Sequence, residues 1–369
     1  RRDRRPVHGL ACQNDTANAT CGKALRLPRA RKPDVIMPSP SNVPDWKAPR
    51  VTGLDSAQKL LKQEAWTPTP LLPAPTIGDR LGVDLWVKRE DCTPIGSFKL
   101  RGALVTMEGR AKSLSGSGVY VATAGNYGLA ITAAGQGHGV EVTVFVPPDA
   151  TPSKLERMRL MGATVVRHDG DFDSVKQHAR WAASQDGAAF WEDGTIEEMA
   201  WGAGTIATEI LDHSSPWDLI TVPLGNGSLV KGIAAAVRER GSETRVVGLV
   251  PAGAPSMARA VETGSWDEGR PIATYADGLA VRVPIRPIVE EIRELIDDVW
   301  LVDEPRLLQA VRALMELEQT MVEPSAAICI AGLADHRGEI GGKRIAAILT
   351  GSHLRPDLLP AVLQSDSLL

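Results

Sequence analysis

One lysine lies in a sequence context that suits covalent chemistry with a carbonyl compound. Lys99 belongs to residues 96–102, which read GSFKLRG and follow an apolar, strand-like run at 85–87 and a polar stretch at 88–91. A lysine in a sharp turn between a strand and a helix, behind a small hydroxyl residue and an aromatic, is well placed to form a Schiff base. A lysine in the first turn of a helix is also often just a solvated charge, so this segment alone leaves both interpretations open.

Three further segments supply groups that could bind a ligand near such a lysine: two of them suit anions and the third suits a ring nitrogen. Residues 122–128 (ATAGNYG) follow a strand pattern at 118–121, and the free amides of a helix start suit a carboxylate. Residues 219–224 form a strand pattern that ends in residues 225–232 (GNGSLVKG), a geometry that binds phosphate through main-chain N–H groups. Residues 345–353 (IAAILTGSH) bring two hydroxyls to the end of a buried-strand pattern, and one of them could face a ring nitrogen.

Two Gly-rich segments do not fit the common nucleotide-binding motifs. Residues 225–227 lack a third glycine three positions on and an acidic residue placed for a ribose, which argues against a dinucleotide fingerprint. Residues 341–344 (GGKR) have no Ser or Thr after the lysine and precede a strand. They therefore predict a tight turn rather than a P-loop.

Together, the four segments resemble the tryptophan-synthase-β superfamily of pyridoxal-phosphate enzymes (fold type II), and most closely its threonine/serine dehydratase-like branch. Residues 276–278 (ADG) and 323–325 (EPS) add to the resemblance, which covers residues 60–355. It implies an α/β, two-domain fold with mostly parallel twisted sheets flanked by helices. It also implies pyridoxal 5'-phosphate bound in the interdomain cleft, at the carboxyl ends of the strands.

The resemblance assigns roles to three residues around the cofactor ring. Lys99 would hold the cofactor aldehyde as a Schiff base and, once displaced by the substrate amine, remove the proton from Cα. Phe98 would flank the ring, although simple packing beside a lysine explains a Phe equally well. Asn126 would be the partner of the ring's 3-oxygen.

The other expected contacts divide by the group that they bind. The cofactor phosphate would be bound by the Ser228 hydroxyl and by main-chain amides. These amides belong to Gly225, Asn226, Gly227, Ser228 and Leu229. Residues that would hold the substrate carboxylate are Ser97, Thr123, Ala124, Gly125, Asn126 and Tyr127. A role in the core or in a turn is the alternative for Thr123 and Tyr127.

A hydroxyl is expected beside the pyridine nitrogen of the cofactor. Thr350 matches the family position that meets this nitrogen. A neutral hydroxyl does not enforce ring protonation, so the ring is a weaker electron sink, and loss of a β-substituent is favoured over transamination. Ser352 is expected on the same face of the strand, two residues on, and is a rival for the role.

Departures from the family pattern narrow the expected activity. Racemases of this branch have a serine where this chain has Ala124, so we expect no racemisation. A structural divalent-metal site of the branch begins with a Glu before a Pro, whereas this chain has Val250 before Pro251, so we expect no such metal. Asn226 and Ser228 interrupt the usual all-glycine phosphate loop, which leaves cofactor binding plausible and the substrate open.

We therefore expect a lyase that performs β-elimination on L-threonine, L-serine or a related β-substituted amino acid. The products would be a 2-oxo acid and ammonia, formed through an aminoacrylate intermediate. A β-replacing or threonine-synthase-like enzyme stays open, because residues 349–353 (LTGSH) depart from the dehydratase ending. The third hypothesis is a non-catalytic cofactor-binding protein, and the joint presence of Lys99, Asn126, Thr350 and the Gly-rich loop argues against it.

Composition excludes some classes of protein. No apolar run among the 369 residues reaches the roughly 18 to 20 residues of a membrane span. Cys12, Cys21, Cys92 and Cys329 show neither metal-ligand spacing nor disulfide density, which fits a reducing compartment. We expect a cytoplasmic enzyme whose partner is a small-molecule amino acid, with no nucleic acid and no membrane. The resemblance alone implies a homodimer.

Charge separates the first 50 residues from the remainder. They contain 11 Lys or Arg against 4 Asp and are rich in proline, which predicts an extended arm that packs across an acidic partner subunit. Organellar targeting by this arm is the open alternative. We predict an N-terminal extension at 1–56, a large cofactor-binding domain at 57–89 plus 186–369, and a small domain at 90–185. Because the sequence ends at Leu369, we expect no C-terminal regulatory domain.

Overall fold

The chain folds into two β-sheets with helices packed against them. This agrees with the alternation of strand and helix patterns along the sequence. A computed structural model describes residues 53–63, 66–114, 116–123, 125–213, 216–266 and 271–369. The chain divides into residues 1–46 and 47–369, and all the described residues belong to the second unit. The predicted basic arm lies outside the described residues.

The secondary structure follows the predicted α/β alternation. In chain order, the strands of the described residues are β1 (Leu71–Pro73), β2 (Asp84–Arg89), β3 (Val119–Ala122), β4 (Val142–Val146), β5 (Thr164–Arg167), β6 (Ala189–Phe190), β7 (Leu219–Pro223), β8 (Arg245–Pro251), β9 (Asp298–Val302) and β10 (Arg344–Leu349). The helices are α1 (Leu54–Gln63), α2 (Pro75–Leu81), α3 (Lys99–Arg110), α4 (Asn126–His138), α5 (Pro152–Leu160), α6 (Phe172–Asp186), α7 (Glu197–His213), α8 (Ser228–Glu239), α9 (Ser256–Thr263), α10 (Arg286–Leu295), α11 (Glu304–Leu317), α12 (Pro324–Asp335), α13 (Arg337–Ile340) and α14 (Leu359–Gln364).

The two sheets differ in size and in strand order. The larger sheet has the order β1-β2-β10-β7-β8-β9, and only β1 runs antiparallel to its neighbour, at the sheet edge. The smaller sheet has the order β5-β4-β3-β6 and is parallel throughout. The central strand β7 is buried at every position, as expected for parallel strands that helices cover on both faces.

Small residues let three helices pack closely near the start of α3. A Cβ on Gly202 of α7 would lie 2.5 Å from the Cα of Gly102 in α3. On the neighbouring helix, a Cβ on Gly232 of α8 would lie 2.0 Å from the carbonyl oxygen of Ala200 in α7. Because backbones this close leave no room for a side chain, α3 and its first residue, Lys99, are held firmly against α7.

Parallel strands bring their carboxyl ends to the same end of each sheet. The segments predicted from the sequence to form the site follow these strand ends. Lys99 comes after β2, Asn126 after β3, Ser228 after β7 and Thr350 after β10. The strand β10, last in sequence, lies between β2 and β7. This arrangement brings residues together that are far apart in the sequence.

The predicted fold class, α/β with mostly parallel sheets flanked by helices, is confirmed. The proposed domain boundaries stay a prediction. The smaller sheet extends to Phe190 in β6, five residues beyond the predicted boundary at 185.

Candidate active site

A cavity of about 650 Å³ lies at the carboxyl ends of strands from both sheets. Of the residues predicted from the sequence, those that line it are Phe98, Lys99, Thr123, Gly125, Asn126, Tyr127, Gly225, Asn226, Gly227, Ser228, Leu229 and Thr350. Two predicted residues are not among its described walls. The side chain of Ser97 is fully buried outside the lining, and Ala124 lies outside the described residues.

Lys99 is presented to the cavity by the turn between β2 and α3. An isolated bridge between Ser97 and Gly351 and a hydrogen bond of 3.0 Å from the Phe98 N–H to the Thr350 carbonyl tie this turn to the end of β10. The Lys99 Nζ lies 4.9 Å from the centroid of the Phe98 ring. The lysine is therefore half enclosed and stands next to an aromatic face.

A group of buried charges holds α3 two residues beyond Lys99. Arg101 has no exposed surface, and it donates to Glu90 Oε2 at 2.8 Å and to Glu209 Oε1 at 2.6 Å. Lys88 donates to Glu209 Oε2 at 2.6 Å. Burial lowers the pKa of Lys88, with the two carboxylates opposing this shift. Buried ion pairs of this kind contribute geometric specificity more than stability, and here they join the end of β2 to α3 and α7.

The Gly-rich loop after β7 has the geometry of an anion site. Gly227 has a φ of 103°, in the left-handed region that favours glycine, and α8 begins at the next residue. The Ser228 Oγ is buried, and within the described part of the chain it has no hydrogen-bond partner. A buried hydroxyl without a partner beside the free amides of a helix start fits a phosphate group.

The start of α4 forms another part of the wall. The Gly125 N–H donates to Thr123 Oγ1 at 2.9 Å, which uses one of the amides expected to be free. The buried hydroxyl of Tyr127 donates to the Trp191 carbonyl at 3.3 Å, and burial raises the pKa of this tyrosine well above its usual value. Thr123 and Tyr127 thus have structural contacts as well as a place in the cavity lining.

Glu323 lies against this helix start and carries a perturbed carboxyl group. Its Oε1 accepts from Asn126 Nδ2 at 2.9 Å, and its Oε2 is buried without a partner in the described residues. Burial raises the pKa of Glu323 to about 7, with Lys154 lowering it and Asp277 raising it. Lys154, only 2% exposed, donates to Asp277 Oδ2 at 3.4 Å. Burial therefore favours the neutral form of Glu323 more than that of an exposed carboxyl group.

The two candidate hydroxyls at the end of β10 are separated by the structure. Thr350 is 4% exposed and lines the cavity. Ser352 is outside the lining, and its N–H donates to the Gly96 carbonyl at 3.1 Å. The expectation that both lie on one strand face is wrong, because β10 ends at Leu349 and the chain then turns to pair with the segment before Lys99.

Sequence reasoning missed a carboxylate at the centre of the site. Asp193 lines the cavity, and its Oδ2 accepts from Lys99 Nζ at 2.8 Å. It follows the two-residue strand β6, which is too short to give a clear alternating pattern. The rule that found the other segments, polar residues after the carboxyl end of a parallel strand, would have indicated Asp193 had β6 been recognised.

Comparison with known proteins identifies the family. Residues 62–351 match the model of the protein family described as pyridoxal-phosphate dependent enzyme. The chain belongs to this family. Pyridoxal phosphate, the cofactor of this family, fits the cavity described above. On the walls lie a lysine amine, a threonine hydroxyl, and a helix start with a serine hydroxyl that has no partner in the described part of the chain.

Relatives place the chain within the family. The L-threonine ammonia-lyase of Geobacter sulfurreducens is 32% identical over 297 residues, which cover 80% of this chain and 74% of that protein. The chain spans about half the length of several other curated relatives. The processed form of threonine deaminase isoform 2 from Solanum lycopersicum has a TM-score of 0.75 at 29% identity, over 86% of this chain and 96% of that chain. Maize serine racemase shares the fold, with a TM-score of 0.76 at 24% identity, over 85% of this chain and 97% of that chain.

These relatives confirm four predictions: the superfamily, its dehydratase-like branch, the class of pyridoxal-phosphate-dependent lyase, and the cofactor. None of the helices in the described ranges has the length and apolar character needed to cross a bilayer. The same ranges contain no cluster of three or more His, Cys, Asp or Glu arranged to hold a metal ion.

Proposed function

We propose that this chain catalyses β-elimination on L-threonine, L-serine or a related β-substituted amino acid, releasing a 2-oxo acid and ammonia. The observation that carries the proposal is the meeting of Lys99, Ser228 and Thr350 on the walls of one cavity. Pyridoxal phosphate, when bound, supplies an aldehyde that takes the substrate's amino group and a ring that withdraws electrons from Cα. The residues of the chain bind both molecules and move the proton.

Lys99 is the proposed covalent anchor and base. Its amine projects into the cavity beside Phe98, where it can bond the cofactor aldehyde. With its amine free, Lys99 would take the proton from Cα. Asp193, at 2.8 Å in this structure, accepts a hydrogen bond from the released amine and keeps it in place.

The phosphate and the ring have separate binding groups. The amides of residues 225–229 and the Ser228 hydroxyl hold the phosphate at the positive end of the α8 dipole. Asn126 is the proposed partner of the ring's 3-oxygen, and Thr350 of the ring nitrogen. Because a threonine hydroxyl is neutral, the nitrogen is not forced to take a proton, which favours loss of the β-substituent.

The substrate carboxylate is assigned to the start of α4. Lys154 supports this assignment, because it is buried and a Cβ on Gly125 would lie 2.9 Å from its Nζ. Thr123 and Tyr127 line the same wall, and Ser97 and Ala124 remain predicted members of this group. An ammonium group next to a helix start favours a carboxylate at this wall of the cavity.

The test is release of 2-oxo acid from cofactor-loaded protein given L-threonine and L-serine separately, while visible absorbance is followed. We expect prompt release that is lost in Lys99→Ala and kept in Lys112→Ala, the control at an exposed lysine of the same domain. An absorbance change without oxo acid would favour the β-replacing or synthase alternative, which a screen of added thiol and amine nucleophiles would identify. Protein that takes up no cofactor chromophore would overturn the proposal.

We also propose a cytoplasmic homodimer in which the basic arm packs on the partner subunit. Deletion of residues 1–50 should then lower both the dimer mass measured by light scattering and the melting temperature. Unchanged values for both would show that the arm has another role.

A further inference from the structure

His353 is joined to Asn126 and to Arg157 by hydrogen bonds of its two ring nitrogens. Its Nδ1 lies 2.9 Å from Asn126 Oδ1, and its Nε2 lies 2.8 Å from Arg157 Nη1. Residue 353 follows the end of β10, residue 126 begins α4, and residue 157 belongs to α5. The chain of hydrogen bonds therefore links three separate elements, and of its three residues Asn126 lines the cavity.

The chemistry of the three side chains determines where each proton lies. A guanidinium only donates, so the Nε2 of His353 must accept and carries no proton. The Nδ1 of a neutral imidazole then carries the proton and donates to Asn126, whose facing atom must be the amide oxygen. Burial, with the positive charges of Lys154 and Arg157, lowers the pKa of His353 to about 4, which agrees with a neutral ring.

The same reasoning fixes the other end of the Asn126 amide. With Oδ1 facing His353, the Nδ2 faces Glu323, to which it donates at 2.9 Å. An amide nitrogen carries two N–H groups, so one remains for a ligand in the cavity that Asn126 lines. A turned amide would instead present an oxygen to that ligand, which an anionic oxygen on the ligand would repel.

We propose that His353 and Arg157 are positioning residues that hold the Asn126 amide with its nitrogen toward the 3-oxygen of the cofactor. The proposal rests on the function proposed above, in which Asn126 is the partner of that oxygen. His353 itself stays one residue removed from the cofactor. Its contribution is to exclude the turned amide, in which the donor is lost.

The experiment compares cofactor binding in purified variants, with the dissociation constant of pyridoxal phosphate and the visible absorbance maximum as readouts besides turnover. His353→Ala should weaken binding about five- to tenfold, the worth of one hydrogen bond, and move the absorbance maximum in the same direction as Asn126→Ala. The double variant should bind no more weakly than Asn126→Ala alone, because His353 acts only through Asn126.

Two further variants distinguish the loss of Asn126 positioning from a general loss of folding or stability. His353→Asn keeps an N–H where the Nδ1 stood and should restore most of the affinity and the wild-type absorbance. His138→Ala, at the opposite end of α4, is the matched control and should leave both readouts unchanged. If His353→Ala does not fold, Arg157→Leu removes the donor that fixes the tautomer and should show the same spectral change.

Two results would overturn the proposal, and they differ in what else they affect. Wild-type affinity and absorbance in His353→Ala, with both altered in Asn126→Ala, would refute the positioning role and leave the proposed function intact. Wild-type values in Asn126→Ala would refute the assignment of Asn126 to the 3-oxygen and the positioning role with it. Turnover that depends on Lys99 would in that case still support the lyase reaction.

Discussion

The Lys99 Nζ lies 2.8 Å from Asp193 Oδ2, so the proposed Schiff-base lysine is ion-paired with a carboxylate that follows a strand of the other sheet. Asn226 Nδ2, in the Gly-rich loop, lies 3.4 Å from the same oxygen. The Asp193 Oδ1 is buried and has no partner among the described residues. Asp193 therefore connects the reactive amine to the loop proposed to bind phosphate.

Replacing Asp193 should slow proton removal from Cα. In Asp193→Asn the released amine of Lys99 loses its charged partner and becomes less well positioned, so kcat should fall about tenfold, or ~1.4 kcal/mol in the barrier. Steady-state turnover and the isotope effect with Cα-deuterated L-serine measure this change, and the isotope effect should rise. Asp149→Asn, at an exposed carboxylate of the same cavity, is the control. An unchanged isotope effect and kcat in Asp193→Asn would contradict the role.

Removing the hydroxyl of Ser228 should weaken cofactor binding. The Oγ is buried without a partner in the ranges that the structure describes, so its removal loses no hydrogen bond seen in the free protein, whereas in the complex it loses one to the phosphate. We expect the dissociation constant to rise about fivefold in Ser228→Ala. Ser256→Ala is a matched control, because Ser256 is the buried first residue of α9. Equal affinities for wild type and Ser228→Ala, from fluorescence titration, would argue against a phosphate at this loop.

The two hydroxyls after β10 should behave differently. Thr350 lines the cavity and Ser352 does not, so Thr350→Ala should lower turnover about tenfold, by loss of a hydrogen bond whose strength changes during the reaction. Ser352→Ala should keep wild-type turnover, because Ser352 does not line the cavity and the main-chain contact of its N–H with Gly96 remains. If Ser352→Ala lowered turnover and Thr350→Ala did not, the role beside the ring nitrogen would belong to Ser352.

The buried carboxyl of Glu323 should make stability depend on pH. Its pKa is raised to about 7 from an ordinary 4.5, so between these pH values the folded state binds a proton that the unfolded state has lost. Stability should therefore fall as pH rises through this window, by at most about 3 kcal/mol. The charged groups that face Glu323 are Lys154, which lowers its pKa, and Asp277, which raises it.

Urea unfolding at pH 5 and pH 7.5 checks this prediction, with Glu323→Gln as the comparison. Glutamine imitates the protonated acid and still offers an oxygen to Asn126, so the stability of wild type relative to Glu323→Gln should fall from pH 5 to pH 7.5. His353 contributes with the opposite sign: its pKa of about 4 makes the unfolded state bind more protons between pH 4 and 6.5, so stability rises there. A pH profile identical in wild type and Glu323→Gln would show that Glu323 ionises normally.

Much of the site could be predicted from the sequence because its parts are local. A lysine behind Ser and Phe, a Gly-rich turn before a helix, and a hydroxyl after a buried strand are each contained in a few consecutive residues. Short segments of this kind determine their own backbone through glycine, helix starts and strand pattern. Local patterns indicate Lys99 and the loop that contains Ser228, whereas the family resemblance selects Asn126 and Thr350, and all four line the cavity.

Only the tertiary structure decided which side chains meet. Asp193 and Lys99 are 94 residues apart, and His353 and Asn126 are 227 apart. They meet because β10 inserts between β2 and β7, and because the smaller sheet places the end of β6 beside α3. Hydrophobic periodicity specifies which face of a strand is buried but carries no information about its neighbours in the sheet, since every parallel strand presents the same backbone hydrogen-bonding groups to each side.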